Sequence, residues 1–83
     1  MFDNYNKIQN NIVIDNTQTG IHSYGVGNTI IGNTVSHNGW HGIYAQNSGL
    51  IDQNTAIDND QSSGGYDNIA PCATCTFGTN HAP

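Results

Sequence analysis

The stretch that decides the fold is Asn28-Thr29-Ile30-Ile31-Gly32-Asn33-Thr34-Val35-Ser36-His37-Asn38-Gly39-Trp40-His41-Gly42-Ile43-Tyr44. Moving back 22 residues from Asn33 gives Asn11-Ile12-Val13-Ile14-Asp15-Asn16, and Gly20-Ile21 then falls on Gly42-Ile43. Moving forward 21 residues from Asn33 gives Asn54-Thr55-Ala56-Ile57-Asp58-Asn59. The shared skeleton is Asn-x-(small apolar)-x-x-Asn, with Ile8, Ile30 and Ile51 each three residues ahead of the leading Asn. Several independent columns agree, so this is an internal repeat of one structural unit. The third copy is stretched: Gly65-Tyr66 is read as the counterpart of Gly20-Ile21 after a two-residue insertion. Thr76-Phe77-Gly78-Thr79-Asn80 echoes Thr29 to Asn33 and opens a fourth copy.

Each copy alternates apolar and polar residues for only three or four positions and then turns at Gly or Asn. No copy can bury its apolar side alone. Stacked copies pair their strands in parallel, about 4.8 Å apart, and line a common core. The expected inward columns are Ile8/Ile30/Ile51/Phe77, Val13/Val35/Ala56 and Ile21/Ile43. The columns Asn11/Asn33/Asn54/Asn80 and Asn16/Asn38/Asn59 are placed at the bends. There an amide tolerates left-handed backbone and hydrogen-bonds the same amide one coil away. The fold class is therefore all-β: a parallel β-solenoid of about three coils plus a partial fourth. Coils are read over residues 8–29, 30–50 and 51–76, with a partial coil over 77–83, as one domain or a C-terminal fragment of a longer chain.

Composition removes several function classes. The 83 residues include 13 Asn, ten Gly and ten Ile, but only one Lys (Lys7), no Arg and no Glu, for a net charge of −5. One cation cannot neutralise a row of phosphates, which argues against nucleic acid as a partner, nor can it hold an anionic lipid surface. The longest wholly apolar run, Ile12-Val13-Ile14, is too short to span a membrane. The opening residues lack the basic and apolar blocks of a signal peptide. Helix formers are scarce, which disfavours a helical bundle.

The pattern from Gly20-Ile21 through Asn28-Thr29-Ile30-Ile31-Gly32-Asn33-Thr34-Val35-Ser36-His37-Asn38 resembles the repeat of right-handed parallel β-helix proteins. That superfamily includes pectate lyases, polygalacturonases, alginate epimerases and NosD-like periplasmic proteins. The resemblance covers about residues 6–60, with a weaker echo to residue 80. The segment from Asn68 to Gly78 looks like the C-terminal end of longer bacterial members. The resemblance implies the fold, a polysaccharide as partner, and an extracellular or cell-surface location. It implies no particular activity, because the repeat encodes coils rather than a site.

The outward positions carry the candidate chemistry. Asp15, His37 and Asp58 share one position in consecutive coils, which reads as a polar ladder or as a metal site of one imidazole and two carboxylates. Trp40 and His41, between Gly39 and Gly42, lie in a loop near Tyr44, Tyr24 and His22, and this ring-rich set is the natural surface for stacking on sugar. His22 and Tyr44 share a column and form a candidate acid–base pair, but the cations and the Asp-Pro-His signature of the epimerases are missing. Lyase chemistry lacks its Arg or Lys base, so the reading leans away from an enzyme. A fragment of a polysaccharide lyase, hydrolase or epimerase is kept as an alternative. Cys72-Ala73-Thr74-Cys75 reads as a local disulfide or free thiols in preference to zinc, which would need His81 and a fourth ligand. Calcium could draw on Asp52, Asp58 and Asp60, but no calcium-binding repeat supports it. No cofactor is expected. Ile12, Ile14 and Ile57 point outward and suggest a self-association face, with a homo-oligomer or filament as its product.

Overall fold

The computed structural model describes residues 3–83 and contains strands and turns but no helix among them. The strands are β1 (Lys7–Gln9), β2 (Ile12–Ile14), β3 (Ile21–Ser23), β4 (Asn28–Ile31), β5 (Thr34–Ser36), β6 (Ile43–Ala45), β7 (Gly49–Asp52), β8 (Thr55–Ile57) and β9 (Thr76–Phe77). They form three parallel sheets in the orders β1-β4-β7-β9, β2-β5-β8 and β3-β6. The first two coils contribute one strand to each sheet, the third contributes β7 and β8 and a single bridge from Ile69 to Ile43, and the fourth contributes β9. The chain thus winds as a solenoid with extents of 30 × 19 × 19 Å.

The strand register carries out the column assignment. Ile8 lies on Ile30, Ile30 on Ile51 and Ile51 on Phe77. Val13 lies on Val35 and Val35 on Ala56, while Ile21 lies on Ile43. Ile21, Ile30, Val35, Ile43, Ala45, Ile51 and Ala56 form the buried core, in which each Ile contributes about 1.5–3 kcal/mol relative to exposure. Ile8 packs against this core in part, whereas Phe77, expected inward, is 43% exposed because no further coil covers it.

The two asparagine columns are continuous hydrogen-bonded ladders. Asn11 donates from its backbone N and Nδ2 to Asn33 Oδ1 at 2.9 and 3.2 Å, Asn33 does the same to Asn54, and Asn54 to Asn80. The second column runs from Asn16 through Asn38 to Asn59 and then to Asn68, which the repeat had not supplied. Each interior Nδ2 also donates to a carbonyl of the coil before it, as Asn33 does to Ile8 and Asn54 to Ile30. A buried amide is costly when unpaired. Here no buried side-chain nitrogen or oxygen among the described residues lacks a partner.

Two expectations need correction. The left-handed residues are not the ladder asparagines but those just before them: Asn10, Gln53, Asp15, His37 and Asp58 have φ between 52° and 59°, and Gly32 has 68°. The ladder residue must keep ordinary backbone so that its N–H and Nδ2 both aim along the stack, which moves the sharp bend one residue earlier. The second correction concerns the third coil. Ile43 pairs with Ile69, and Gly42 and Ile43 donate to the carbonyls of Asp67 and Asn68. Asn59 precedes Ile69 by ten residues, against five between Asn38 and Ile43, so the insertion is five residues rather than two. Ile69 takes the core place because it is apolar and lies in register, leaving Tyr66 outside.

Candidate functional site

The inserted segment is folded back onto the second coil. Asp60 N donates to Trp40 O, Gln61 N to Asn38 O, and Ser62 N and Oγ both to Gly39 O. The Asp60 carboxylate accepts from the Gly64 and Gly65 amides at 2.8 and 3.2 Å, which closes the loop on itself. Tyr66 is thereby laid on Trp40, with ring centroids 5.5 Å apart and planes 16° from parallel.

Tyr66 joins the five rings expected from the sequence into one run. Tyr24 stacks on His22 at 4.1 Å, and His22 on Tyr44 at 4.7 Å, as their pairing in β3 and β6 requires. His41 meets Tyr44 and Tyr66 edge-on at 5.0 and 4.9 Å and so links the two piles. Asp67 N–H donates to His41 Nδ1 at 3.0 Å. An amide N–H donates only to an unprotonated ring nitrogen, so this contact leaves the His41 proton on Nε2. His22 Nε2 lies 3.2 Å from Gln46 Oε1.

A recess of about 300 Å³ opens beside these rings, lined by Gln18, Thr19, His22, Trp40, His41, Tyr44 and Tyr66. None of the seven carries a carboxylate, ammonium or guanidinium. The arrangement offers flat apolar ring surface bordered by neutral hydrogen-bonding groups, which suits a ligand that is amphipathic and uncharged. Of the lining residues, Gln18, Thr19 and Tyr66 were not singled out from the sequence. Tyr66 was assigned to the core, and only the true length of the insertion reveals its place.

The remaining candidates are dispersed. Asp15, His37 and Asp58 occupy the left-handed corners after β2, β5 and β8 and are exposed. Asp and His are among the residues that adopt this conformation most readily, which accounts for the column through the backbone. Among the described residues no group of three or more His, Cys, Asp or Glu side chains is placed to hold a metal ion. Of the aspartates considered for calcium, Asp60 is engaged by its own loop and Asp52 accepts from Thr79 N at 2.9 Å. Cys72 and Cys75 form a disulfide, with Cα atoms 5.3 Å apart, and Cys75 packs against the edge of the core. Ile12 and Ile14 are 76% and 48% exposed on the outer side of the β2-β5-β8 sheet, and Ile57 is half-buried.

The coil-by-coil parallel pairing defines the class, a parallel β-helix. A family model described as right handed beta helix region matches residues 1–81, and the chain belongs to that family. Comparison with curated proteins and with solved structures gave no match.

Proposed function

We propose that this chain is a non-catalytic β-helix module that contacts carbohydrate through its ring-rich face. The observation that carries the reading is the run of six rings from Tyr24 to Trp40, bordering a recess lined by no Lys, Arg, Asp or Glu. Sugar rings present apolar C–H faces and hydroxyl rims, and aromatic side chains with nearby neutral donors meet both. Lys7, the one cation, lies in β1 outside the recess, so the parts needed to neutralise and abstract from a uronate are not assembled there. The disulfide fits an oxidising compartment, which supports an extracellular or cell-surface location. Binding is tested by affinity electrophoresis of the whole chain and of Tyr44→Ala through gels containing neutral and acidic polysaccharides. Retardation of the parent chain in a polysaccharide gel, lost in the variant, is expected; equal mobility of both proteins in every gel would overturn the reading.

Self-association is a second reading, favoured by the ladder's polarity. In the first coil Asn11 Nδ2 and Asn16 Nδ2 turn back to the carbonyls of Gln9 and Ile14. Their Oδ1 atoms stand where an interior coil would receive two donors from its neighbour. Together with the exposed Ile12 and Ile14, this gives a face suited to a second copy. Sedimentation velocity across a wide concentration range should show growth of a larger species, and a concentration-independent monomer would remove this reading.

A further inference from the structure

The ring piles are staggered, and the stagger leaves a gap. In the second coil the corner carries Trp40 and His41, and in the third the folded-back loop lays Tyr66 over Trp40. In the first coil the same corner carries Gln18 and Thr19. The register is fixed by the backbone, because Trp40 N donates to Gln18 O at 3.3 Å and Gly20 N to His41 O at 3.0 Å. Short polar side chains therefore stand where the pile of large rings would continue. The recess of about 300 Å³ adjoins this corner, and Gln18 and Thr19 form part of its lining. His22 of the first coil, Trp40, His41 and Tyr44 of the second and Tyr66 of the third line the recess with them.

We infer that the recess beside Trp40 seats one pyranose ring of an uncharged polysaccharide, in the space that the polar Gln18 and Thr19 leave where the second coil carries rings. This inference rests on the carbohydrate-contacting reading and adds to it the seat and the sugar class. Size fits, since about 300 Å³ lies at the small end of ligand sites. Chemistry fits as well. The apolar face of a pyranose meets the aromatic lining of Trp40 and Tyr44, while the Gln18 amide, the Thr19 hydroxyl and the His41 Nε2–H are partners for ring hydroxyls. A uronate carboxylate entering the same space would meet no lysine or arginine among the lining residues. It would also approach a chain of net charge −5. Burying an unpaired charge is costly, and the overall field repels it. Sugars carrying only hydroxyls escape both penalties.

Trp40 is the only tryptophan, so its emission reports on this seat alone. The experiment titrates the whole chain with soluble neutral β-glucan, neutral mannan and polygalacturonate, following Trp40 emission, and repeats each titration on Gln18→Tyr and Thr19→Ala. Gln18→Tyr supplies the missing ring without adding a fluorophore that competes with Trp40, and far-UV circular dichroism checks that it folds. The expected result is a saturable shift with at least one neutral polymer and none with polygalacturonate. Gln18→Tyr should weaken that binding at least tenfold, and Thr19→Ala by a few-fold. Should Gln18→Tyr bind as tightly as the parent chain, the seat is wrong while the carbohydrate reading stands. Preference for polygalacturonate would overturn the sugar class. Absence of binding to all three polymers, here and in the gels, would overturn the inference and the reading beneath it together. Where Gln18→Tyr does not fold, Gln18→Leu removes the amide without filling the gap and should weaken binding a few-fold; unchanged affinity would count against the seat.

Discussion

Replacing Asn54 by Ala removes an interior rung of the first ladder, and its cost follows from four hydrogen bonds. Asn54 is 1% exposed. Its Oδ1 accepts from Asn33 N at 2.9 Å and Asn33 Nδ2 at 3.1 Å. Its Nδ2 donates to Ile30 O at 2.9 Å and Asn80 Oδ1 at 3.1 Å. Asn80 Oδ1 keeps the Asn54 backbone N–H at 3.0 Å and sits near solvent, so it loses little. Asn33 is buried, and its backbone N–H and one Nδ2 proton are left without partners. A buried orphaned polar group costs about 1–3 kcal/mol, so two of them put the loss at about 2–6 kcal/mol. The whole chain of 83 residues has about 4–12 kcal/mol of stability at typical values per residue. Asn54→Ala should therefore remove much of the folding free energy. Asn11→Ala is the control, because Asn11 is exposed and water replaces what its Nδ2 loses; its cost should be about 0.5–1 kcal/mol. Urea unfolding followed by circular dichroism measures both. Losses that agree within about 1 kcal/mol would refute the idea that burial of the rung sets its worth.

Two further predictions concern the corners. His37 has φ 55°, so His37→Val should cost about 1–2 kcal/mol, whereas His37→Asn should be nearly neutral in a thermal melt; equal costs would mean that the imidazole matters beyond its backbone. A Cβ at Gly20 would stand 2.7 Å from Val35 Cγ1 and 2.8 Å from Asn38 Nδ2, pressing on core and ladder at once. Gly20→Ala should cost about 1–3 kcal/mol by overpacking, and denaturant titration showing no loss would refute the steric account.

The fold was legible because stacking turns a linear repeat into columns, and a column must satisfy the same physics at every coil. Ile30 and Asn33 are buried for reasons that also apply to Ile51 and Asn54, so four coils testify to one assignment. The site was legible only where it rode on the repeat. His22 and Tyr44 are paired by register, and Trp40 and His41 follow from the corner they occupy. Tyr66 was hidden because it lies in an insertion, where the repeat has nothing to say. Gly65-Tyr66 matched Gly20-Ile21 in residue type, yet Asn68 could extend the ladder and Ile69 could fill the core when the loop was three residues longer. Hydrogen-bond closure, which sequence comparison does not weigh, decided the matter. His37 was obscured in another way: its column reads as a polar ladder or a metal site, while the feature the three residues share is a left-handed backbone angle.

The asparagine ladders also give the solenoid an electrical axis. Within a sheet the backbone dipoles nearly cancel. The side-chain amides do not, since in both columns the donors of one coil are aimed at the Oδ1 of the next. Their dipoles add along the winding direction, as peptide dipoles do along a helix. The first coil is the negative pole and the last the positive pole. Each amide is polarised by those before and after it, so a coil's contribution depends on how many neighbours share its orientation. Beside its net charge of −5, the molecule therefore carries a directional field built from neutral side chains.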